Sequence, residues 1–422
     1  MTNKPLNGKK LLILAGGPNL VTLVQRAKEL GVYTIVTDYY DHVTSPAKDV
    51  ADEAWDISWS DLDTLEQKCR EAKVDGITTG YSESPVECCI NLCERLGLPC
   101  YCTQHQLDFT RDKVLFKKIC RENGVPTVKE YATVDDVDEY PVILKPADRA
   151  GSIGVGVAKN RDELIKAYDY AMEKSYCKEV IIEKYITGTK IDLYYEIRNG
   201  KITFISSDDV IMAKSNGTDK VVQSCWVLPS RVQSEIIKNA DEAIRRLLTN
   251  LEIKNGYIFI SGFDNHGEFI FFETGFRLCG GHLYNYFPET GHVNNMDIFI
   301  FHALTGSTSN VPCPTVLNEK LKCVNINIYA KSGTIRSIEG MDKITQMDDC
   351  RFALTTAKIG QECHDDKAIL DKVGMFYFCN EDPKILQDDV EEAYRLIKVT
   401  DTDGNDMIYD RIDTSLIPTW WN

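Results

Sequence analysis

Short apolar runs alternate with amphipathic segments over the first part of the chain. Residues 10–14 and 33–37 are continuous apolar or β-branched runs, which is typical of strands buried on both faces. Between them, apolar residues recur at helical spacing over 20–30, and Gly31 follows as a helix stop. The pattern therefore predicts a βαβ unit. It continues with a helix over 61–72, a strand over 76–79, a helix over 85–96 and a short apolar segment over 99–102.

This alternation predicts a parallel sheet, whose ligands bind at the carboxyl ends of its strands. Beyond residue 110 the pattern predicts a mixture of helices and strand pairs. The expected helices cover 110–123, 162–174, 231–251 and 294–305, and the expected strands cover 142–144, 179–182, 192–197, 202–206, 256–263 and 268–273. Residues 320–422 suggest short strands, turns and one helix over 388–397, without a motif that indicates chemistry.

Length and charge narrow the class of protein. A chain of 422 residues is too long for one hydrophobic core, so we expect two or three domains. The net charge of −16 comes without a basic stripe, and we therefore expect no nucleic-acid partner. The first ten residues are polar and no apolar run approaches the length of a membrane span, which favours a cytoplasmic protein without membrane contact.

The fifteen cysteines do not follow the spacing of a zinc site. Cys88, Cys89, Cys93, Cys100 and Cys102 cluster in the sequence, but CxxC pairs are absent. We expect small buried thiols here rather than metal ligands.

One stretch carries the strongest chemical signal of the chain. Lys145 ends an apolar strand and is followed at once by a turn containing Gly151, Gly154 and Gly156. Such glycines let backbone N–H groups converge on an anion, which favours a phosphate site. Glycine turns after strands are also common without a ligand, so this stretch alone leaves its function open.

Three other features have two interpretations each. Lys113 lies in the first turn of a helix, where the dipole disfavours a cation unless it reaches an anion. Glu273 and Arg277 are either a structural ion pair or an active-site pair. The turn at 15–20, with Asp38 after the next strand, favours a nicotinamide dehydrogenase or a small anion site, although it lacks the GxGxxG spacing.

Taken together, these features resemble the ATP-grasp superfamily in order and spacing. The resemblance rests on Lys113, Lys145 with its glycine loop, the strand-ending Glu183-Lys184-Tyr185-Ile186, and Glu273 with Arg277. It covers essentially the whole chain and implies an α/β protein with the ATP-grasp fold. The implied parts are an N-terminal parallel βαβ domain over 1–110, two α+β subdomains clasping ATP over 111–310 with a lid at about 125–187, and a C-terminal mixed α/β domain over 311–422.

The resemblance also implies roles for individual residues. Lys145 and Arg277 would be catalytic, and Glu273 would bind Mg²⁺. The ATP-binding residues would be Lys113, Lys145, Arg149, Ser152, Ile153, Gly154, Glu183, Lys184, Tyr185, Ile186, Lys190 and Asp192. Within this set, Lys113 and Lys145 would contact the phosphates, the loop at 149–156 would close as a lid, 183–186 would read adenine, and Asp192 would lie near the ribose.

Three positions depart from the family pattern. Ser261 stands where a second metal carboxylate is usual, Gly275 where asparagine is usual, and Lys190 where a ribose-binding glutamate is usual. Asp264 is a candidate substitute for the missing carboxylate. These departures leave open a nucleotide-binding module that has lost its chemistry.

The branch of the family can be narrowed by exclusion. Gly281 replaces the glutamate expected of a biotin carboxylase, and the chain has room for one grasp unit, unlike a carbamoyl-phosphate synthase. We therefore expect an ATP-dependent ligase that joins a small-molecule carboxylate to an amine through an acyl phosphate, with ATP and Mg²⁺. A carboxylating purine-pathway-like ligase is the alternative. A homodimer is among the assemblies that this branch allows.

Overall fold

The predicted parallel sheet is present at the start of the chain. The computed structural model describes residues 4–149, 153–213, 222–315, 317–364 and 371–421. The first elements are β1 (Lys10–Leu14), α1 (Val21–Glu29), β2 (Tyr33–Thr37), α2 (Ala47–Val50), β3 (Glu53–Trp55), α3 (Leu62–Ala72), β4 (Gly76–Thr78), α4 (Val86–Leu96) and α5 (Gln104–Arg111). The strands run parallel in the order β3-β2-β1-β4, so their carboxyl ends share one edge.

Two details of this region differ from the sequence prediction. The segments α2 and β3 were not predicted, because three or four residues are too few to show a period. The apolar segment 99–102 is not a strand. It leads into α5, which Thr103 and Gln106 begin with a reciprocal capping box.

A second, smaller sheet carries the glycine-rich turn. Its elements are α6 (Lys113–Glu122), β5 (Glu130–Tyr131), β6 (Val142–Pro146), β7 (Gly156–Ala158), α7 (Arg161–Lys174) and β8 (Val180–Lys184). The four strands pair antiparallel in the order β5-β8-β6-β7. Leu144 and Ala158 from the strands pack with Leu164 and Ala171 from α7, so this unit has a small core of its own. We call this four-stranded unit the lid sheet.

A large antiparallel sheet follows the lid sheet in the chain. We call the space between these two sheets the cleft, and each sheet forms one of its walls. The elements that follow are β9 (Thr189–Arg198), β10 (Lys201–Met212), β11 (Gln223–Leu228), α8 (Gln233–Asn239), α9 (Asp241–Asn250), β12 (Gly256–Asn265), β13 (Glu268–Gly275), α10 (Tyr286–Glu289) and α11 (Asn295–Thr305). The helix expected over 231–251 is wrong as a single helix, because α8 ends and α9 begins around Ala240.

The C-terminal segment extends this same sheet. Its elements are β14 (Lys322–Tyr329), β15 (Gly333–Thr334), β16 (Ser337–Glu339), α12 (Met341–Ile344), β17 (Cys350–Thr355), β18 (Glu362–Cys363), β19 (Lys372–Asn380), α13 (Pro383–Leu396) and β20 (Lys398–Thr400). The eight-stranded order is β13-β12-β9-β10-β11-β14-β19-β17. The expectation of short strands is therefore wrong for β14 and β19. The domain bounds drawn at residues 110 and 310 stay a prediction.

The N-terminal region is packed onto the large sheet through α11. The guanidinium of Arg26 on α1 forms a bidentate pair with Asp297 on α11, at 2.7 and 2.8 Å. A Cβ at Gly76 on β4 would lie 2.3 Å from the Ala303 carbonyl, so strand and helix are in direct contact. In the described part of the chain, no helix is long and apolar enough to cross a membrane.

Candidate active site

The lid sheet places Lys145 in a buried network of charges. Lys145 on β6 faces Glu183 on β8, and their charged atoms lie 2.6 Å apart. The second oxygen of Glu183 accepts from Lys117 at 2.5 Å, and Lys117 is itself fully buried and paired with Glu130. Burial alone would raise the pKa of Glu183, but the two lysines outweigh it and hold the pKa below its usual value.

Two residues of the predicted adenine hinge, Lys184 and Tyr185, have their side chains at the surface. Lys184 pairs with Glu139, and Tyr185 is exposed. The amides of Lys184 and Tyr185 donate to backbone carbonyls of the lid sheet, whereas the amide of Ile186 has no partner among the described residues. The hinge therefore offers backbone rather than side chains. Ile186 packs in one apolar cluster with Val128, Ile270, Phe263 and Phe272, which is suited to a flat ring.

Lys113 begins α6 and reaches toward the glycine-rich loop. Asp112 caps this helix by accepting from the amides of Val114 and Leu115. The Lys113 ammonium donates to the Arg149 carbonyl at 3.4 Å, while the Arg149 guanidinium stacks 4.3 Å from the Tyr176 ring. Helix start and loop are thus in contact.

The structure describes some of the remaining residues of the glycine-rich loop and not others. Ile153 is half-buried, and Gly154 has a left-handed φ of +77°. A Cβ on Gly154 would lie 2.7 Å from the Pro146 ring, so this turn requires glycine. The predicted Ser152 lies outside the described residues.

Four polar side chains form a row across the large sheet. The register aligns Asp208 on β10, Asp192 on β9, Ser261 on β12 and Glu273 on β13, and directly opposed residues share one face. We call this set the acidic row. The Ser261 hydroxyl donates to Asp192, and the Lys190 ammonium lies 3.8 Å from the same carboxylate.

Asp208 lies deepest in the acidic row. Its carboxyl accepts from the Tyr194 hydroxyl at 2.5 Å and from the Asp192 amide at 3.1 Å. Burial, with a contribution from Asp192, raises the pKa of Asp208 well above its usual value. The neutral form of Asp208 is therefore favoured.

A β-bulge brings the two walls of the cleft together at Phe272. Ser261 pairs with Glu273 and Gly262 with Phe271, which leaves Phe272 as the extra residue of β13. The Phe272 ring stacks on Phe263 at 5.0 Å. The ammonium groups of Lys145 and Lys190 lie 5.5 and 6.0 Å from this same ring. A cation of the lid sheet and one of the large sheet therefore face one aromatic surface.

Gly275 is explained by a neighbouring ring. Its Cβ would lie 2.4 Å from Phe259, which pairs with it on β12. The Arg277 guanidinium lies over that ring at 5.1 Å. Phe259 thus occupies the space that an asparagine side chain at Gly275 would need.

Arg277 also connects the N-terminal region to the site. Its Nε lies 3.5 Å from Oε1 of Glu83, on the loop after β4, yet this buried nitrogen makes no hydrogen bond with a described residue. Burial raises the pKa of Glu83, which Arg277 opposes and Glu273 reinforces. Sequence reasoning missed Glu83. Its signal was its place at the carboxyl end of a parallel strand.

The glycine turn at 15–20 lies beside His282. Asn19 lies 3.2 Å from Nε2 of His282, whose ring is stacked between Tyr81 and Phe352 at 4.5 and 4.7 Å. Burial lowers the pKa of His282 to about 3, so the imidazole is neutral. This turn therefore lies beside the chain segment that follows Arg277.

The Asp38 carboxylate is used inside the fold. It accepts from the Gly16 amide at 2.9 Å and from the Ser45 hydroxyl at 2.7 Å. It is therefore not free for the ribose that a dehydrogenase would bind.

Lys372 is a second residue that sequence reasoning missed. Its ammonium contacts the Met375 sulfur at 3.3 Å and lies 5.9 Å from the Trp226 ring. It also lowers the pKa of His282 and is influenced by Cys279, so it lies near the segment after Arg277. Burial lowers the pKa of Lys372 to about 8. Only the pairing of β19 into the large sheet brings this lysine here.

The acidic row fits a hard divalent cation. Asp192 and Glu273 flank Ser261 on one face, and carboxylate oxygens are the ligands that Mg²⁺ prefers. Asp264, the candidate substitute, is engaged elsewhere: its carboxylate accepts from Arg231 at 3.1 Å and from the Gly267 amide at 2.7 Å. Asp192 is thus better placed than Asp264 to replace the carboxylate missing at 261.

Comparisons with known proteins give the family and the fold that this chain is similar to. Residues 138–283 match the family model of the ATP-grasp domain. The chain is 22% identical over 409 residues to a formate-dependent phosphoribosylglycinamide formyltransferase from Prochlorococcus marinus subsp. pastoris, which covers 93% of this chain and 97% of that protein.

Two solved structures share the fold over nearly the whole chain. The L-amino acid ligase from Bacillus licheniformis aligns with a TM-score of 0.74 at 17% identity, over 94% of this chain and 99% of that one. The phosphoribosylglycinamide synthetase from Anaerococcus prevotii aligns with a TM-score of 0.72 at 19% identity, over 93% and 100%. The predicted fold class is confirmed.

Proposed function

The chain belongs to the ATP-grasp superfamily, and we propose that it is a ligase that uses ATP to activate a substrate carboxylate and joins it to an amine. The products would be an amide, ADP and phosphate. The observation that carries this proposal is the cleft itself, in which Lys145 of the lid sheet and Lys190 of the large sheet lie over the ring of Phe272, and Lys190 is 3.8 Å from Asp192 of the acidic row.

The residues of the cleft suit the nucleotide half of the reaction. Lys113, Lys145 and Lys190 would bind the phosphates. The amide of Ile186, which has no partner among the described residues, would donate to the adenine ring beside its apolar cluster. Asp192 and Glu273 would hold the Mg²⁺ that accompanies ATP in this family, and the ion would neutralise phosphate charge. Concentrating these cations lets a carboxylate approach the γ-phosphate despite like charge.

Arg277 and Glu83 suit the reacting end. The Nε of Arg277, which makes no hydrogen bond with a described residue, is a donor for the substrate carboxylate or the transferred phosphoryl group. The Glu83 carboxylate lies 3.5 Å from this same nitrogen and orients the guanidinium. When the amine attacks the acyl phosphate, its carbon–nitrogen bond forms, the carbon–oxygen bond to phosphate breaks, and the amine loses a proton. Glu83, with its raised pKa, is placed to accept that proton.

Lys372 indicates the kind of substrate. Its half-buried ammonium contacts a thioether and lies near an aromatic ring, Cys279 and a neutral His282. A buried ammonium without a carboxylate among these neighbours is stabilised when an anionic ligand binds. We therefore propose that one substrate carries a carboxylate or phosphate that pairs with Lys372.

The test is substrate-dependent ADP release by the purified full-length chain with ATP and Mg²⁺. Amino acids, other small carboxylates and phosphorylated amines are offered in pairs, and products are identified by mass spectrometry. We expect ADP release that needs both a carboxylate and an amine, and an amide product lighter by one water than the sum of its parts. The Lys372→Met variant should need more of the anionic substrate at similar maximal rate.

Two results would contradict the proposal. Tight ATP binding without substrate-dependent ADP would indicate a nucleotide-binding module without chemistry. A product containing bicarbonate carbon, made with bicarbonate as the sole carboxylate, would indicate a carboxylating enzyme instead. Isotope-labelled bicarbonate distinguishes the two.

A further inference from the structure

Three cysteine thiols meet outside the cleft, in the N-terminal region. Cys89 and Cys93 lie one turn apart on α4, and Gly97 ends that helix in a left-handed turn that returns Cys100 to them. Their sulfur atoms lie within 4.8 Å of one another. Cys89 and Cys93 are buried and Cys100 is half-buried. The C-x3-C-x6-C spacing hid this group from sequence reasoning.

A fourth donor lies in the same part of the N-terminal region. His302 on α11 is 8% exposed, and its Nδ1 is buried without a hydrogen-bond partner among the described residues. Gly306, one turn further along α11, lies against Pro99, the neighbour of Cys100, because a Cβ there would be 3.5 Å from the Pro99 ring. The imidazole is not within 4.8 Å of all three sulfurs, so it must shift toward them to share one ion. A buried nitrogen without a partner is costly unless a ligand completes it.

We propose that Cys89, Cys93 and Cys100 bind one Zn²⁺ ion, with the imidazole of His302 as the fourth ligand. Zinc takes four tetrahedral nitrogen and sulfur ligands with Zn–S bonds of about 2.3 Å, which places bound sulfurs roughly 3.8 Å apart. Sulfurs within 4.8 Å of one another therefore need to close by roughly 1 Å at most. On binding, each thiol releases its proton to the buffer and the neutral imidazole donates a lone pair.

The position of the site suggests what the ion would do. Cys100 precedes Tyr101, whose ring contacts Phe276 at 5.1 Å and Phe299 at 4.7 Å. Phe276 is the neighbour of Arg277 in the cleft. The ion would join α4 to α11 and so brace the N-terminal region against the large sheet, which makes it a structural zinc remote from the phosphates.

The experiment is a metal titration of the tag-free, reduced, full-length chain, with Co²⁺ as a spectroscopic substitute followed by Zn²⁺. We expect one Co²⁺ per chain, with a thiolate-to-cobalt charge-transfer band and the visible bands of four-coordinate cobalt, both removed by one equivalent of Zn²⁺. Zinc should raise Tm by about 3 °C or more, because it binds the folded chain alone. Cys100→Ser and His302→Ala should each weaken binding at least about tenfold. Cys120→Ser changes a buried cysteine outside the group and should bind like the wild type.

X-ray absorption of the zinc-loaded wild type tests the ligands without any variant. We expect about three sulfur neighbours near 2.3 Å and one nitrogen near 2.0 Å. The proposal would be overturned by a zinc ligand shell of nitrogen and oxygen alone. It would also be overturned if Cys100→Ser bound metal as tightly as the wild type, or if Cys120→Ser lost as much metal affinity as Cys100→Ser. A disulfide between two of these cysteines in the freshly isolated protein would overturn it as well. None of these results bears on ADP release, so the ligase proposal is tested separately.

Discussion

The two walls of the cleft arrange their charged side chains in different ways. On the lid sheet, Glu183 lies between Lys145 and Lys117, so each buried charge has a partner. On the large sheet, Asp192 and Glu273 lie in one row with Asp208, and Lys190 is 3.8 Å from Asp192. A paired network stabilises the fold, whereas crowded carboxylates destabilise it until a cation binds. We therefore propose that Glu183 is structural on one wall and that Glu273 binds a cation on the other.

The largest effect on stability should come from removing the charge of Glu183 from its network on the lid sheet. Glu183→Gln leaves the fully buried Lys117 with Glu130 alone and should lower the free energy of unfolding by about 3 kcal/mol. Chemical denaturation measures this. Glu139→Gln, a more exposed partner of Lys129 and Lys184, is the control and should change stability little. A loss no greater than the control's would show that the network is not structural.

The same variant predicts a pH dependence. Because the folded-state pKa of Glu183 is lowered, its stabilisation is complete above the unfolded value of about 4.3 and is lost as the pH falls through the folded value. The wild type should therefore lose stability more steeply than Glu183→Gln on acidification below about pH 4.3. Parallel curves for the two proteins would contradict the assignment.

Next in size is the loss of the lid cation itself. Lys145→Ala should reduce turnover, or ATP affinity, by about a hundredfold, because an electrostatic contact to the phosphates is removed. Steady-state ADP release and calorimetry separate the two quantities. Lys129→Ala removes an exposed lysine of the lid region and should match the wild type. Unchanged rate and affinity in Lys145→Ala would remove the central claim of the nucleotide site.

Removing a charge from the acidic row should not lower stability, in contrast to removing the charge of Glu183. Glu273→Gln should raise the Mg²⁺ concentration needed for half-maximal activity by about tenfold, because a hard oxygen ligand loses its charge. Without Mg²⁺, the same change should leave Tm equal or higher, since it relieves repulsion in the row. Activity titrations and melting curves check both. A lower Tm together with unchanged Mg²⁺ dependence would make Glu273 a structural residue like Glu183.

The smallest effect concerns substrate affinity. Lys372 is cationic below its pKa of about 8 and neutral above it, so the KM for the anionic substrate should rise by about fivefold between pH 7 and pH 9. In Lys372→Arg, whose charge persists, this rise should disappear. The second substrate, which does not pair with Lys372, is the control. Its KM should not rise between pH 7 and pH 9. A KM rise that persists in the arginine variant would assign the titration to another group.

Local pattern predicted the parts of this protein whose structure depends on near neighbours. The strand that carries Lys145 and the glycine at 154 follow from periodicity and turn chemistry. The helix expected over 110–123 is wrong at its start, because α5 ends at Arg111 and Asp112 caps a new helix from Lys113. The sequence shows that Ser261 and Gly275 depart from the family pattern, but the physical reason for each departure is seen only in the structure. The register puts Asp192 beside Ser261, and the ring of Phe259 fills the space over Gly275.

By itself, the sequence determined the fold class, the resemblance to a family and the lysines proposed to bind phosphate, because these rest on contacts within a few residues and on a characteristic order of motifs. Only the tertiary structure decided that Glu183 is held by two lysines, that Glu83 lies beside Arg277, and that three cysteines meet. Antiparallel pairing between distant strands and helix packing create these contacts. No local period records which distant residues such pairing will oppose.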